Sequence, residues 1–166
     1  FGPFSGAHFN PVVTLAFALR GLVPARDVLP YVFVQILAAF AGVALAHLMF
    51  GEALFSASTH VRDGWSQWLS EFVATFGLLS IIWAGVHHQL RATPYLIGAY
   101  ITGAYWFTAS TSFANPAVTL ARAASDTFAG IYLPDVAGFI LAQFAGSLAA
   151  TVLWYWLSDD GVPSVG

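Results

Sequence analysis

The sequence predicts an all-α membrane protein, a bundle of apolar helices that includes two short re-entrant half-helices. Three observations predict it. The 166 residues are 58% hydrophobic and only 8% charged, against about 25% charged in soluble domains. Residues 28–51, 92–121 and 136–158 contain no Asp, Glu, Lys or Arg, giving uncharged runs of 24, 30 and 23 residues, where about 20 mainly apolar residues suffice to cross a bilayer. One motif occurs twice: Asn10-Pro-Val-Val-Thr-Leu-Ala-Phe-Ala18 and Asn115-Pro-Ala-Val-Thr-Leu-Ala-Arg-Ala123 agree at seven of nine positions, 105 residues apart. Such self-similarity marks a repeated architecture.

The elements follow from the punctuation, and they make one membrane domain over 1–166. Re-entrant half-helices are expected over about 10–19 and 116–124. Each is too short to span and opens with Asn-Pro, an N-cap followed by the residue whose missing N–H costs nothing at the first helical position. Full spans are expected over about 28–50, 65–88, 94–109 and 135–157, with loops over 20–27, 51–64 and 89–94 and a short polar tail after Leu157. Trp65, Trp68, Trp154 and Trp156 near span ends suit an interfacial aromatic belt. Each motif is followed by a span carrying a lone glutamine, Gln35 and Gln143. Three full spans lie between the motifs, an odd number, so the half-helices enter the bilayer from opposite sides. An inverted repeat with broken helices places paired half-helix N-termini at a central permeation site. By the same symmetry two further spans are expected upstream of Phe1. Arg20, Arg26 and Arg91 would share one face, and Arg62 and Arg122 the other, so the first face is expected to be cytoplasmic.

Several function classes fall away. The five basic residues are all arginines and are scattered, so nothing neutralises phosphates as nucleic-acid binding requires. Zero cysteines exclude disulfides and thiolate chemistry. Ser5 and Ser112 have no His–Asp partner in the sequence pattern, so no enzyme is expected. His47, His60, His87 and His88 lack metal-ligand spacing, since adjacent His87 and His88 point to different faces of a helix. No metal or other cofactor is expected.

The residues Ser5-Gly-Ala-His-Phe-Asn-Pro-Val12, Asn115-Pro-Ala117 and Ser70-Glu-Phe-Val-Ala-Thr-Phe76 resemble the major intrinsic proteins, that is, aquaporins and aquaglyceroporins. The resemblance covers essentially the whole chain. It implies an aquaporin-like six-helix bundle with two half-helices, a pore in each subunit and a homotetramer in the bilayer, with the first two spans absent here. Within it, Asn10, Pro11, Val12 and Asn115, Pro116, Ala117 form the pore motifs, the two asparagines offering N–H donors to passing solutes while cations meet an electrostatic barrier. Glu71, costly inside a span unless paired, would support the second re-entrant loop, and His8 the first. Proton coupling by Glu71, as in a secondary transporter, is the rival reading. Val12 replaces the usual alanine, either parting the half-helices slightly or merely repacking.

The filter departs from the family pattern. Most members carry Arg directly after the second Asn-Pro-Ala, whereas this chain carries Val118. The remaining positions map to Gly103 and Ser112, with a fourth in a span outside the sequence. Gly103 resembles glycerol-type channels and Val118 a bacterial branch associated with arsenic resistance. Together they imply a wider, less polar constriction passing water, glycerol-like polyols and neutral metalloid acids such as arsenous acid; a water-selective channel is the alternative. The expected location is a bacterial inner membrane. Arg122, one helical turn beyond Val118, is expected to cap or pair on the outer surface rather than reach back to the pore.

Overall fold

In the computed structural model, which describes residues 1–158, the helices begin and end where local chemistry dictates. Helix α1 is a single turn, Gly2–Ser5. Helix α2, Pro11–Leu19, starts where Asn10 Oδ1 accepts from the Val12 amide at 3.1 Å. Helix α3, Ala25–Phe50, follows Pro24 and ends at Gly51 in the left-handed conformation (φ 74°), a common helix stop. Helices α4, Trp65–His87, and α5, Thr93–Phe107, come next. Helix α6, Pro116–Arg122, is capped by Asn115. A 3₁₀ turn, Leu133–Asp135, leads into α7, Val136–Leu157.

The observed bounds differ from the expected ones. Helix α3 takes in Ala25, Arg26 and Asp27 because Pro24 presets its entry and Asp27 suits the positive end of the helix. Helix α5 has only 15 residues, about 22 Å at 1.5 Å per residue, because Thr108 turns extended and its hydroxyl bonds back to the Ala104 carbonyl. Helix α6 stops at Arg122, the next residues closing in tight turns, Ala123 N to Leu120 O and Ala124 N to Ala121 O. Three stretches, Ala25–Phe50, Trp65–His87 and Leu133–Leu157, are long and apolar enough to cross a membrane. The expected polar tail lies, beyond Ser158, outside the described residues.

The chain forms two compact units. The first, residues 1–64 and 115–140, packs α2, α3 and α6 on one another around Val12, Ala16, Ala117, Ala121 and Phe139. In it the loop after α3 pairs with the loop after α6: Ser56 and Ser58 donate to the Ala124 and Ala123 carbonyls, and Tyr132 N donates to His60 O. Arg62, almost fully buried, fastens that pairing, its Nε and Nη2 donating to Gly130 O (2.7 Å) and Phe128 O (2.9 Å) while its amide reaches Asp135. Helix α3 leaves Leu29, Phe33, Leu37 and Leu48 exposed, an apolar exterior out of place in water.

The second unit, residues 65–114 and 141–158 of the described chain, packs α4 with α5 and the later part of α7 around Ala74, Leu79, Ile82, Trp83 and Ala150. Small residues let backbones approach, as in membrane helix packing. A Cβ at Gly146 would run into the Phe72 carbonyl of α4, and one at Gly77 into Tyr100 of α5. Trp83 Nε1 donates to Thr151 Oγ1, which donates in turn to Ser147 O.

Candidate permeation site

Both Asn-Pro motifs lie in the first unit. Asn10 and Asn115 have nearly the same extended backbone (φ −155°, ψ 122° and φ −159°, ψ 111°). The side-chain oxygen of each is consumed by its own helix: Asn10 Oδ1 by Val12 N, Asn115 Oδ1 by Ala117 N at 3.0 Å and Val118 N at 3.4 Å. Capping therefore fixes each amide so that its NH2 faces away from the helix. At Asn115 one of those hydrogens donates to Phe9 O at 2.9 Å, linking one motif to the residue before the other. Thr14 and Thr119 repeat the pattern one turn on, each hydroxyl donating to the carbonyl of its capping asparagine. Val12 is completely buried and Ala117 nearly so.

The first re-entrant segment is held by side chains of α2 and α3. Tyr31 Oη donates to Ser5 O at 2.7 Å and accepts from His8 N at 3.2 Å. The His8 ring stacks on Tyr31 and leans on Phe17. Thr14 Oγ1 spends its only hydrogen on Asn10 O, so the contacts it receives from Gln35 Nε2 (2.9 Å) and His8 Nδ1 (3.2 Å) are donations, which assigns the Nδ1–H form to His8.

In the second unit, Glu71 is completely buried. Its Oε1 accepts from Ser110 Oγ (2.6 Å) and Phe113 N (2.8 Å), its Oε2 from Ala114 N (2.8 Å) and Gln143 Nε2 (2.6 Å). Four donors fill the four lone-pair positions of the carboxylate. Two of them are backbone amides of the segment that ends at Asn115.

The filter positions are divided between the units: Gly103 and Ser112 in the second, Val118 in the first. Gly103 is exposed, and a Cβ there would meet only the Phe107 ring, at 3.9 Å. The Ser112 hydroxyl is buried without a hydrogen-bond partner. Val118 is half-buried and lines a cavity of about 740 Å³ shared by α3, α6 and the loop that follows α6.

The sequence reading did not anticipate Tyr31, Arg62 or His47. His47 Nδ1 donates to Ala53 O and Leu54 O, and Ser125 Oγ donates to its Nε2 at 2.8 Å. Arg62 carried one signal, a solitary cation in an otherwise polar, Ser/Thr-rich loop; Tyr31, inside an apolar run, carried none. Among the described residues no group of three or more His, Cys, Asp or Glu is arranged to hold a metal.

Comparison with known proteins places these features. The family model described as Major intrinsic protein matches residues 1–104. The aquaglyceroporin AqpS of Rhizobium meliloti (strain 1021) is 52% identical over 164 residues, covering 99% of this chain and 70% of the relative. Aquaporin Z of Brucella melitensis biotype 1 is 30% identical over 163 residues, covering 95% of this chain and 68% of that protein. A glycerol uptake facilitator protein of Streptococcus pneumoniae is 34% identical over 116 residues, 61% of this chain and 50% of the relative. The chain therefore belongs to the major intrinsic protein family, and it is a membrane channel rather than an enzyme.

Proposed function

We propose that the chain conducts water and larger uncharged hydroxylated solutes, glycerol-like polyols and neutral metalloid acids such as arsenous acid, passively across the membrane. The observation that carries this is the pair of capped asparagines. Each has its oxygen committed to a helix and so can only donate outward, which suits solutes that exchange hydrogen bonds and disfavours cations. Relatives named aquaglyceroporin and glycerol uptake facilitator support the polyol part. Val118 in place of a fixed cation, with glycine at 103 and serine at 112, supports a filter wider and less polar than a water-only one. The proposal extends to a homotetramer in a bacterial inner membrane with Arg20 and Arg91 on the cytoplasmic side. Val12, Pro11 and Pro116 shape the half-helix starts in this reading, and His8 and Glu71 support the loops.

Stopped-flow light scattering on proteoliposomes tests it, comparing water, glycerol and arsenous acid. All three are expected to pass without a proton gradient, and Val118→Arg is expected to cut glycerol and arsenous acid flux by about tenfold while water persists. Flux that requires a proton gradient would instead identify a coupled transporter, and exclusion of both larger solutes a water-selective channel.

A further inference from the structure

Helix α6, which carries Val118, has only seven residues, Pro116–Arg122, whereas an isolated helix needs about 12–15 to persist in water. Its place depends on its packing and on what grips its two ends. At its start Asn115 supplies the cap and reaches Phe9 O. At its far end the grip comes from the loop after α3: Ser56 N and Ser58 N donate, each at 3.0 Å, to Ala124 O and Ala123 O, carbonyls of the turns that close the helix. Along that loop Ala57, Thr59 and Val61 are exposed while Ser58 and Arg62 are buried, the alternation of an extended chain lying on a surface. Arg62 fastens it from the other end, Nε donating to Gly130 O at 2.7 Å and Nη2 to Phe128 O at 2.9 Å. Ile131 N in turn donates to Arg122 O at 3.4 Å, so residues 128–131 are tied to Arg62 on one side and to the last residue of α6 on the other. A side chain at Gly130 would collide with Ser58 Oγ and Ser125 O, which shows how closely the two loops lie. All these groups belong to the first unit.

We propose that Arg62 is a positioning residue for solute specificity: by clasping residues 128–130 it holds segment 56–62 against the end of α6 and so fixes where Val118 stands. The inference rests on the reading of Val118 as a filter position. A valine side chain has no donor or acceptor, so no directional bond of its own can hold it in place, and its position is inherited from the backbone of α6. A guanidinium suits the task because its separate N–H groups reach two carbonyls at once in a rigid fork, which the compact ammonium of lysine does not reproduce. With the clasp released, the end of α6 loosens, Val118 shifts with it, and discrimination by solute size weakens.

The test takes two readings from one preparation of proteoliposomes: amide hydrogen exchange, and the ratio of glycerol to xylitol flux by stopped-flow light scattering. Arg62→Gln is expected to speed exchange at the Thr119–Arg122 amides at least about tenfold and to lower the flux ratio at least about threefold, with Arg62→Lys in between. Gly130→Ala, which pries the two loops apart with Arg62 intact, should produce the same two shifts. Trp83→Phe, which loosens the second unit by removing the bond to Thr151, should leave both readings as in wild type. Variants that speed exchange at Ser56 and Ser58 while α6 stays protected overturn the link to α6. Variants that free α6 yet keep the wild-type flux ratio overturn the specificity role, as does an equal fall of the ratio in Trp83→Phe. Should neither Arg62→Gln nor Gly130→Ala fold, the wild type decides: the Ser56 and Ser58 amides and the last turn of α6 should open as one cooperative unit, with protection within about tenfold of one another, and a larger gap overturns the proposal. Wild-type vesicles that pass no glycerol would sink the channel reading itself, while exchange at α6 would still judge the Arg62 clasp.

Discussion

Gly6, Ala7 and Phe9 in the first re-entrant segment have φ of 74°, 53° and 51°; Thr111, Ser112 and Ala114, each 105 residues later, have 62°, 51° and 46°. The two segments thus trace the same backbone, and five of the six residues pay for a left-handed conformation that costs of order 1–2 kcal/mol outside glycine. What holds them differs. The first segment is fastened by a phenol, Tyr31, which accepts one amide and donates to one carbonyl. The second is fastened by a buried carboxylate, Glu71, which accepts two amides, a hydroxyl and a glutamine NH2. The repeat dictates the path of the chain, and the anchor dictates how firmly the path is held. A charged acceptor makes the stronger bonds, so the second segment is the more rigid of the two.

This contrast can be broken by substitution. Glu71→Ala orphans buried donors at about 1–3 kcal/mol each and is expected to cost about 4 kcal/mol or more, read as unfolding in detergent, together with loss of solute flux. Gly146→Ala pushes a methyl into the Phe72 carbonyl beside Glu71 and should cost about 2 kcal/mol by overpacking. Gly103→Ala, whose added methyl would meet only the Phe107 ring at an ordinary 3.9 Å, should be neutral or slightly stabilising. Tyr31→Phe removes the half-exposed anchor of the first segment and is expected to cost about 1 kcal/mol. If Tyr31→Phe proved as damaging as Glu71→Ala, the ranking of the two anchors would be wrong.

The smallest effect lies outside both segments. The Thr59 amide, with the Thr59 hydroxyl, holds the exposed Asp126 carboxyl below the usual carboxylate range. A depressed carboxyl contributes stability above its unfolded pKa and loses it only as pH falls through the folded one. Hydrogen exchange at Thr59 is therefore expected to be equally protected from neutral pH down to about 4 and to open only below that. Asp126→Asn should speed exchange there at neutral pH.

Much of the site was legible in the residues because its signals are local. Asn-Pro is both a cap and a half-helix start, and the structure uses it so at residues 10 and 115. Glu71 stood out because a lone carboxylate in an apolar run must find donors, and the donors it finds are the amides of Phe113 and Ala114. Tyr31 and His47 were not legible. A tyrosine or histidine in a helix gains its meaning from whatever polar group lies opposite, which here is 26 residues away for Tyr31 and the Ser5 carbonyl and 78 for His47 and the Ser125 hydroxyl. Element ends shifted by two or three residues at α3 and α6 because Pro24 and the turns after Arg122 act through geometry that periodicity does not register.

The sequence by itself determined that the chain belongs in a bilayer, that it is built on a doubled Asn-Pro motif, and that no arginine follows the second copy. These are matters of composition and short-range order. Only the tertiary structure decided which groups hold the two strained segments, and that Val118 and Arg122 look into one cavity. Hydrogen-bond partners and shared cavities depend on residues brought together across long separations, and nothing in a linear pattern fixes those distances.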